Sequence, residues 1–217
     1  MSGFFITFEG GEGAGKSTQI RLLGDFLKQN GYDVVITREP GGTPGGEAIR
    51  YVLLSGAAQE TGKLFETLLF TAARIDHVNE VIEPALNHEK IVLCDRFIDS
   101  TRVYQGTDDK TVSKYLEILE ETAIIDLVPD ITFILDMPAA IGMERADKRR
   151  GQLAKADRFE KDSIAVQESR RQAFLNIAKN EPKRCHVIDA TQTIEGIFHQ
   201  IKTLALLFLD MKINAST

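Results

Sequence analysis

This chain lacks an excess of positive charge. Its 217 residues carry 26 lysines and arginines against 32 aspartates and glutamates, a formal net charge of −6 at pH 7. A surface with that balance offers nucleic acid no attractive field, so no nucleic-acid partner is expected. Any anion the chain binds must be held by a local cluster of positive groups. Cysteine is almost absent: Cys94 and Cys185 each sit inside an apolar run, which excludes a disulfide framework and suggests reduced core residues. The four histidines, His77, His88, His186 and His199, have no zinc spacing. Long apolar runs are missing as well. Leu204–Leu209 is too short to span a bilayer, so no membrane partner is expected. Met1 to Phe5 lacks the basic and apolar regions of a secretory signal, and the cytoplasm is the expected compartment. No repeat, low-complexity stretch or linker divides the chain, which suits one domain over 1–217.

Five short apolar runs are present: Phe4–Phe8, Val34–Thr37, Ile91–Cys94, Ile131–Leu135 and His186–Ile188. They are continuous and not alternating, the pattern of strands covered by helices on both faces of a parallel sheet. Helical patterns separate them at Lys16–Gln29, Gly46–Leu54, Leu64–Asn87, Thr111–Ile125, Ala139–Arg149 and Ser163–Lys179, with a last one from Ile194 to about Met211. The alternation predicts an α/β fold with an open five-stranded parallel sheet, whose ligands collect at the carboxyl ends of the strands.

Directly after the first strand comes Gly10-Gly11-Glu12-Gly13-Ala14-Gly15-Lys16-Ser17, a full match to G-x-x-x-x-G-K-[ST], followed by Thr18. Glycines let the backbone curl so that several N–H groups converge on phosphates, and the helix from Lys16 adds its positive dipole end. Lys16 is placed to reach the β- and γ-phosphates of a nucleotide, and the Ser17 hydroxyl to ligate Mg²⁺. A chance Gly-rich turn is the plain alternative. The N-K-x-D and D-x-x-G elements of a GTPase are missing, and so is the signature lysine of partition ATPases near Gly11. A small-molecule kinase should instead show an acceptor pocket and a basic lid.

The third strand ends in Asp95-Arg96, followed by Phe97-Ile98-Asp99-Ser100-Thr101-Arg102-Val103-Tyr104-Gln105-Gly106. Asp95 at a strand's carboxyl end can hold Mg²⁺ or its water, and Arg96 can grip a phosphate bidentately. The alternative is a surface ion pair between neighbours. On the helix from Leu64, a period of ~100° per residue puts Leu64, Leu68, Ala72, Ile75, Val78 and Ile82 on one stripe, expected to face the core. Phe70, Arg74 and His77 fall on the other side, either as a base pocket or as a dimer interface. Between Arg145 and Arg158, six basic residues (Arg145, Lys148, Arg149, Arg150, Lys155 and Arg158) stand against Asp147 and Asp157. Such a run is either a solvated helix face or, with Gly151 as a hinge, a lid over phosphates at about 145–159.

Together these segments resemble the thymidylate kinase family of P-loop nucleoside monophosphate kinases. The stretch from Asp95 is similar to its D-R-[YHF]-x-x-S-x-x-[AV]-Y-Q-G signature, Arg38-Glu39-Pro40-Gly41-Gly42-Thr43 to its R-E-P-G-G-T segment, and Leu69–Arg74 to its L-F-x-A-x-R helix. Val187–Gln192 resembles the loop near the adenine, and Ala156–Glu160 the end of the lid. Matching motifs run in order from Phe8 to Gln192. The resemblance implies transfer of the ATP γ-phosphoryl group to thymidine monophosphate in a Mg²⁺-dependent homodimer. It implies ATP contacts from Gly10 to Thr18 and from Thr191 and Gln192. It favours the pocket for Phe70 and Arg74 and leaves His77 unassigned. Ser100 and Gln105 would border the base, Tyr104 the sugar, and Glu12 the 3′-hydroxyl. Arg38 and Arg96 would hold the acceptor phosphate beside Pro40. Ala14 stands where one branch of the family has a catalytic arginine, so a lid arginine is expected to serve: Arg149 first, then Arg145 and Arg150.

The chain departs from the family pattern at Val103 and at Thr107–Lys110. The rival expectations are a kinase of the same fold with another acceptor, and a non-catalytic ATP-binding regulator. Arg38 and Arg96 favour an acceptor that already carries phosphate, and the lid features favour catalysis.

Overall fold

Strand β1 (Phe4–Glu9) is buried at every position, which only a central strand covered on both sides achieves. Strands β2 (Val34–Arg38), β3 (Ile91–Asp95), β4 (Ile131–Asp136) and β5 (Cys185–Asp189) join it in a wholly parallel sheet of order β2-β3-β1-β4-β5. The computed structural model describes residues 3–58, 61–106, 110–124, 127–150 and 158–215. The five strands fall where the apolar runs place them. The edge strands β2 and β5 are less covered than expected: Ile36 and Val187, each with a neighbouring strand on one side only, are 44 and 46% exposed.

Alternate residues of β1 point to opposite layers. Phe4, Ile6 and Phe8 pack with Leu93 and Phe133 against α1 (Lys16–Gln29) and α9 (Ile194–Ala215). Phe5, with Val92 and Cys94, packs against α4 (Glu83–Asn87), α5 (Ile98–Gln105) and α6 (Lys110–Ile124). Helix α8 (Ile164–Asn180) adds Phe174 over Ile134 of β4. Parallel register sets Phe8 and Arg38 opposite Asp95, so the carboxyl ends of β1, β2 and β3 lie side by side.

The eight-residue helix α5 carries no start signal of its own. Its cap residue is Phe97, and the capping carboxylate comes from another strand: Glu9 accepts from the Phe97 amide at 2.7 Å and from the Ser100 hydroxyl at 2.6 Å. Local patterning cannot reveal a cap supplied 88 residues away.

The stripe on α3 (Lys63–His77) is a correction. Leu64, Leu68 and Ile75 are 43, 46 and 36% exposed, while Arg74 and His77 are 3 and 0% exposed. Polar side chains occupy the inner face because partners satisfy them there. Arg74 donates from Nε to Glu39 at 2.8 Å, His77 bonds Glu39 through Nδ1 at 3.1 Å, and Glu66 pairs with Arg158. After His77 the chain makes a π turn, Val78–Ile82. Val78 already shares the inner face with Thr71 and Arg74, at i+7 and i+4; the residue gained in the π turn rotates the remainder of the helix by ~100°, which brings Ile82 into the core while Leu68 and Ile75 stay outside.

Among the described residues no helix is long and apolar enough to cross a membrane.

Candidate active site

The loop from Gly10 to Gly15 turns tightly because its glycines accept left-handed backbone. Gly13 has φ 67°, and a Cβ there would meet the Gly142 carbonyl oxygen at 2.0 Å. The loop is thus pressed backbone to backbone against α7 (Ala139–Arg150). Helix α1 starts at Lys16, whose buried ammonium donates to the carbonyls of Gly10 at 3.0 Å and Gly11 at 2.9 Å. Burial, with help from the Arg96 charge, lowers the Lys16 pKa. The Ser17 hydroxyl donates to Asp95 at 2.8 Å. That pair of hard oxygen groups beside the phosphate loop fits Mg²⁺, which takes one or two protein oxygens together with nucleotide phosphates and several waters. Among the described residues no group of three or more His, Cys, Asp or Glu side chains is placed to hold a metal alone.

Arg96 has φ 70°, rare for a residue with a side chain and costing on the order of 1–2 kcal/mol. This backbone turns the guanidinium back over the loop. It donates to the Gly10 carbonyl at 3.2 Å, Ser100 Oγ at 3.1 Å and Glu12 at 2.5 Å, and lies 5.2 Å from the Tyr104 ring centre. Burial pushes the Glu12 carboxyl up, but the charges of Arg96, Lys16 and Arg149 outweigh it and hold it at about 2. Burial raises Tyr104 to about 12, so its hydroxyl stays protonated; it lies 3.5 Å from Glu12.

A cleft of about 270 Å³ opens between the loop and the Arg38–Pro40 segment. One wall is Glu12 to Thr18, the opposite wall Arg38, Pro40, Phe70 and Arg74, and the floor Asp95, Arg96, Ser100, Tyr104 and Gln105. Arg149 reaches its rim. Most residues expected to bind nucleotide and acceptor therefore line one space.

Others lie apart. Gly10 and Gly11 meet Lys16 through their carbonyls, and Arg145 donates to the Ala190 carbonyl at 3.3 Å. Thr191 and Gln192 bond Asp189 in an exposed loop beyond β5. The Arg150 side chain, residues 151–157 of the expected lid (with the hinge at Gly151), and 107–109 of the departure at Thr107–Lys110 lie outside the described residues.

Glu39, Arg50, Leu54, Phe97, Thr101 and Phe159 also line the cleft and were not expected to. Arg50 had a signal, lying two helical turns beyond Thr43, and it donates to the Pro40 carbonyl at 2.9 Å. Phe159 had only its place at the end of the basic run. Its ring stands 5.5 Å from that of Tyr104 and 6.2 Å from that of Phe70.

A phosphate loop after the central strand of a parallel sheet, facing a second arginine-bearing wall across one cleft, defines a P-loop phosphotransferase with its own acceptor site. Comparison with known proteins narrows the class. The thymidylate kinase family model matches residues 8–201. Thymidylate kinase of Bartonella quintana is 60% identical over 204 residues, covering 94% of this chain and 95% of the relative. That of Bartonella henselae is 59% identical over 205 residues, with the same coverage. The crystal structure of thymidylate kinase from Ehrlichia chaffeensis superposes with a TM-score of 0.75 at 35% identity, covering 94% of this chain and all of that one. The chain belongs to the thymidylate kinase family, the ATP-dependent phosphotransferases that convert thymidine monophosphate to thymidine diphosphate.

Proposed function

We propose that this chain transfers the γ-phosphoryl group of ATP to a phosphate oxygen of thymidine monophosphate, and that the cleft between Lys16 and Arg74 is where it does so. The observation that carries the assignment is the joining, in one cleft, of a phosphate loop with its lysine and a separate set of arginines. Lys16 and Ser17 stand on the loop side, and Arg38, Arg74 and Arg96 face them. A hydrolase or a passive ATP binder has no use for the second set. In the reaction the bond from the γ-phosphorus to the β–γ bridging oxygen breaks, its electron pair stays on ADP, and the acceptor oxygen forms the new bond. That oxygen is already ionised at neutral pH, so positioning and charge neutralisation carry the catalysis and no strong base is needed.

Within this proposal, backbone N–H groups of the loop and Lys16 bind the ATP phosphates, and Thr191 and Gln192 border the adenine. Ser17 and Asp95 would hold Mg²⁺, which when bound neutralises phosphate charge. Arg38 and Arg96 hold the acceptor phosphate, and Phe70, Ser100 and Gln105 surround the base. Arg74 donates to a base carbonyl, and Tyr104 lies against the sugar with Glu12 toward the 3′-hydroxyl. Arg149 is first choice for the transition-state charge, with Arg145 and Arg150 behind it. Residues 145–159 act as a lid on one domain spanning the chain. The protein works in the cytoplasm as a homodimer. Support for the dimer comes from α3, which packs between α2 (Pro44–Ser55) and α6. Leu64, Phe65 and Leu68 of α3, Tyr51 of α2, and Tyr115 and Ile118 of α6 leave apolar surface exposed.

The test is ADP formation from ATP and Mg²⁺ with the monophosphates of thymidine, deoxyuridine, deoxycytidine, adenosine and guanosine, plus free thymidine. Turnover is expected chiefly with thymidine monophosphate. Preference for another monophosphate would refute the base assignment, and none at all would favour a passive ATP binder.

A further inference from the structure

His77 is fully buried, takes no place on the cleft wall, and is not one of the residues assigned above to ATP or acceptor. Its ring lies behind the acceptor wall and bonds at both ends. Nδ1 is 3.1 Å from Glu39 Oε1, and Nε2 is 2.6 Å from Thr37 Oγ1. Facing a carboxylate, Nδ1 donates; Nε2 then accepts from the threonine hydroxyl, so the Nδ1–H tautomer serves both bonds. The other oxygen of Glu39 accepts from Arg74 Nε at 2.8 Å. Thr37, His77, Glu39 and Arg74 thus form one chain of hydrogen bonds from β2 to the cleft.

At the far end, Arg74 Nη2 donates to the Phe97 carbonyl at 3.1 Å and to Thr101 Oγ1 at 2.9 Å. With Nε and both Nη2 hydrogens engaged, Nη1 is the edge left to meet a base. Glu39 is one of the three hydrogen-bond partners that orient it, and Glu39 is in turn bonded to His77. The histidine also shapes the loop that carries Arg38 and Pro40. A Cβ on Gly42 would meet the His77 ring at 2.7 Å and Thr37 Oγ1 at 2.7 Å, so the loop lies directly on the imidazole. Gly42 has φ 88°, and helix α2 ties the loop down from outside through Glu47 and Arg50.

We propose that His77 is a positioning residue for the acceptor base: it fixes the Glu39 carboxylate, which aims Arg74 into the cleft, and it seats the acceptor loop. A donor aimed at the 4-carbonyl of the ring selects thymine over cytosine, whose 4-amino group cannot accept there. Loss of the clamp should therefore weaken acceptor binding and base choice together while sparing ATP. The inference rests on the acceptor assignment proposed above.

The test is steady-state kinetics on His77→Phe, His77→Asn and Thr37→Val. His77→Phe keeps a flat ring and loses both bonds. It should raise KM for thymidine monophosphate about tenfold and reduce the preference for it over deoxycytidine monophosphate by a similar factor, with KM for ATP within about twofold. His77→Asn retains a donor where Nδ1 stood and should restore most of the acceptor KM. Thr37→Val, which changes only the outer link, should shift the acceptor KM in the same direction by a smaller factor; it decides the matter if His77→Phe does not fold. Equal KM values in variants and parent would overturn the proposal, and so would a rise in both KM values with unchanged base preference, which marks a merely structural histidine. If the parent itself does not phosphorylate thymidine monophosphate, the acceptor assignment fails instead, a separate and visible outcome.

Discussion

Glu9 ends β1 beneath the site, fully buried, and accepts from the Phe97 amide, the Ser100 amide and the Ser100 hydroxyl. Burial, then the charge of Asp99, pushes its carboxyl from 4.5 to about 7, against the pull of the Ser100 hydroxyl, Arg96 and the Phe97 amide. The native protein then holds a proton between pH 4.5 and about 7 that the unfolded chain has released. Stability linked to this group is therefore full below about 4.5 and falls as pH rises through the window, at up to ~1.4 kcal/mol per unit. Glu9→Gln cannot titrate, so its denaturant midpoint should decline less than the parent's between about pH 5 and 7. Parallel pH profiles would show that Glu9 does not carry the raised value.

The same residue shows how much was legible at this scale. Lys16, Ser17, Asp95 and Arg96 announced themselves because phosphate chemistry demands those side chains at those spacings. Glu9 and Glu39 did not. An acid at a strand end looks like any solvated carboxylate until the fold supplies its donors.

Helix α7 is placed by backbone contact. A Cβ on Gly142 would stand 2.4 Å from the Glu12 carbonyl oxygen. Arg145 and Arg149 follow at i+3 and i+7, on the same face of the helix. Gly142→Ala should push α7 away from the loop and displace both arginines. A shift near 1 Å at a phosphoryl-transfer site costs about 10²-fold, so kcat/KM should fall by that order while far-ultraviolet circular dichroism stays native. Full activity would show that this contact does not set the place of α7. Element positions followed from periodicity nearly residue for residue, whereas the exposed face of α3 and the existence of α5 did not. Amphipathic analysis assumes that apolar residues go inward, and it cannot see Arg74 and His77 meeting Glu39 from another segment, or Glu9 capping α5.

For the whole molecule, the line of Leu64, Leu68 and Ile75 is the largest consequence of that inversion. An exposed apolar helix face flanked by Tyr51 and Ile118 is costly for a monomer. If two copies bury it, Leu68→Glu should place a charge in the interface. Sedimentation equilibrium should then report a monomer where the parent is a dimer, while free protein still binds ATP. A monomeric parent would remove the homodimer from the proposal.

Strand positions and the phosphate-binding chemistry were written in local sequence, because a strand's apolar run, a helix's period and a glycine-rich turn are each set by neighbouring residues; the strand order β2-β3-β1-β4-β5 was not. The nucleotide-binding class could be read on that basis, and the acceptor signature through its resemblance to the thymidylate kinase family. Tertiary structure alone decided which face of α3 is inside, which side chain caps α5, and what His77 and Glu39 hold. Those outcomes depend on polar groups 35 to 88 positions apart in the chain satisfying one another out of water. No local pattern encodes which partner a buried charge will find.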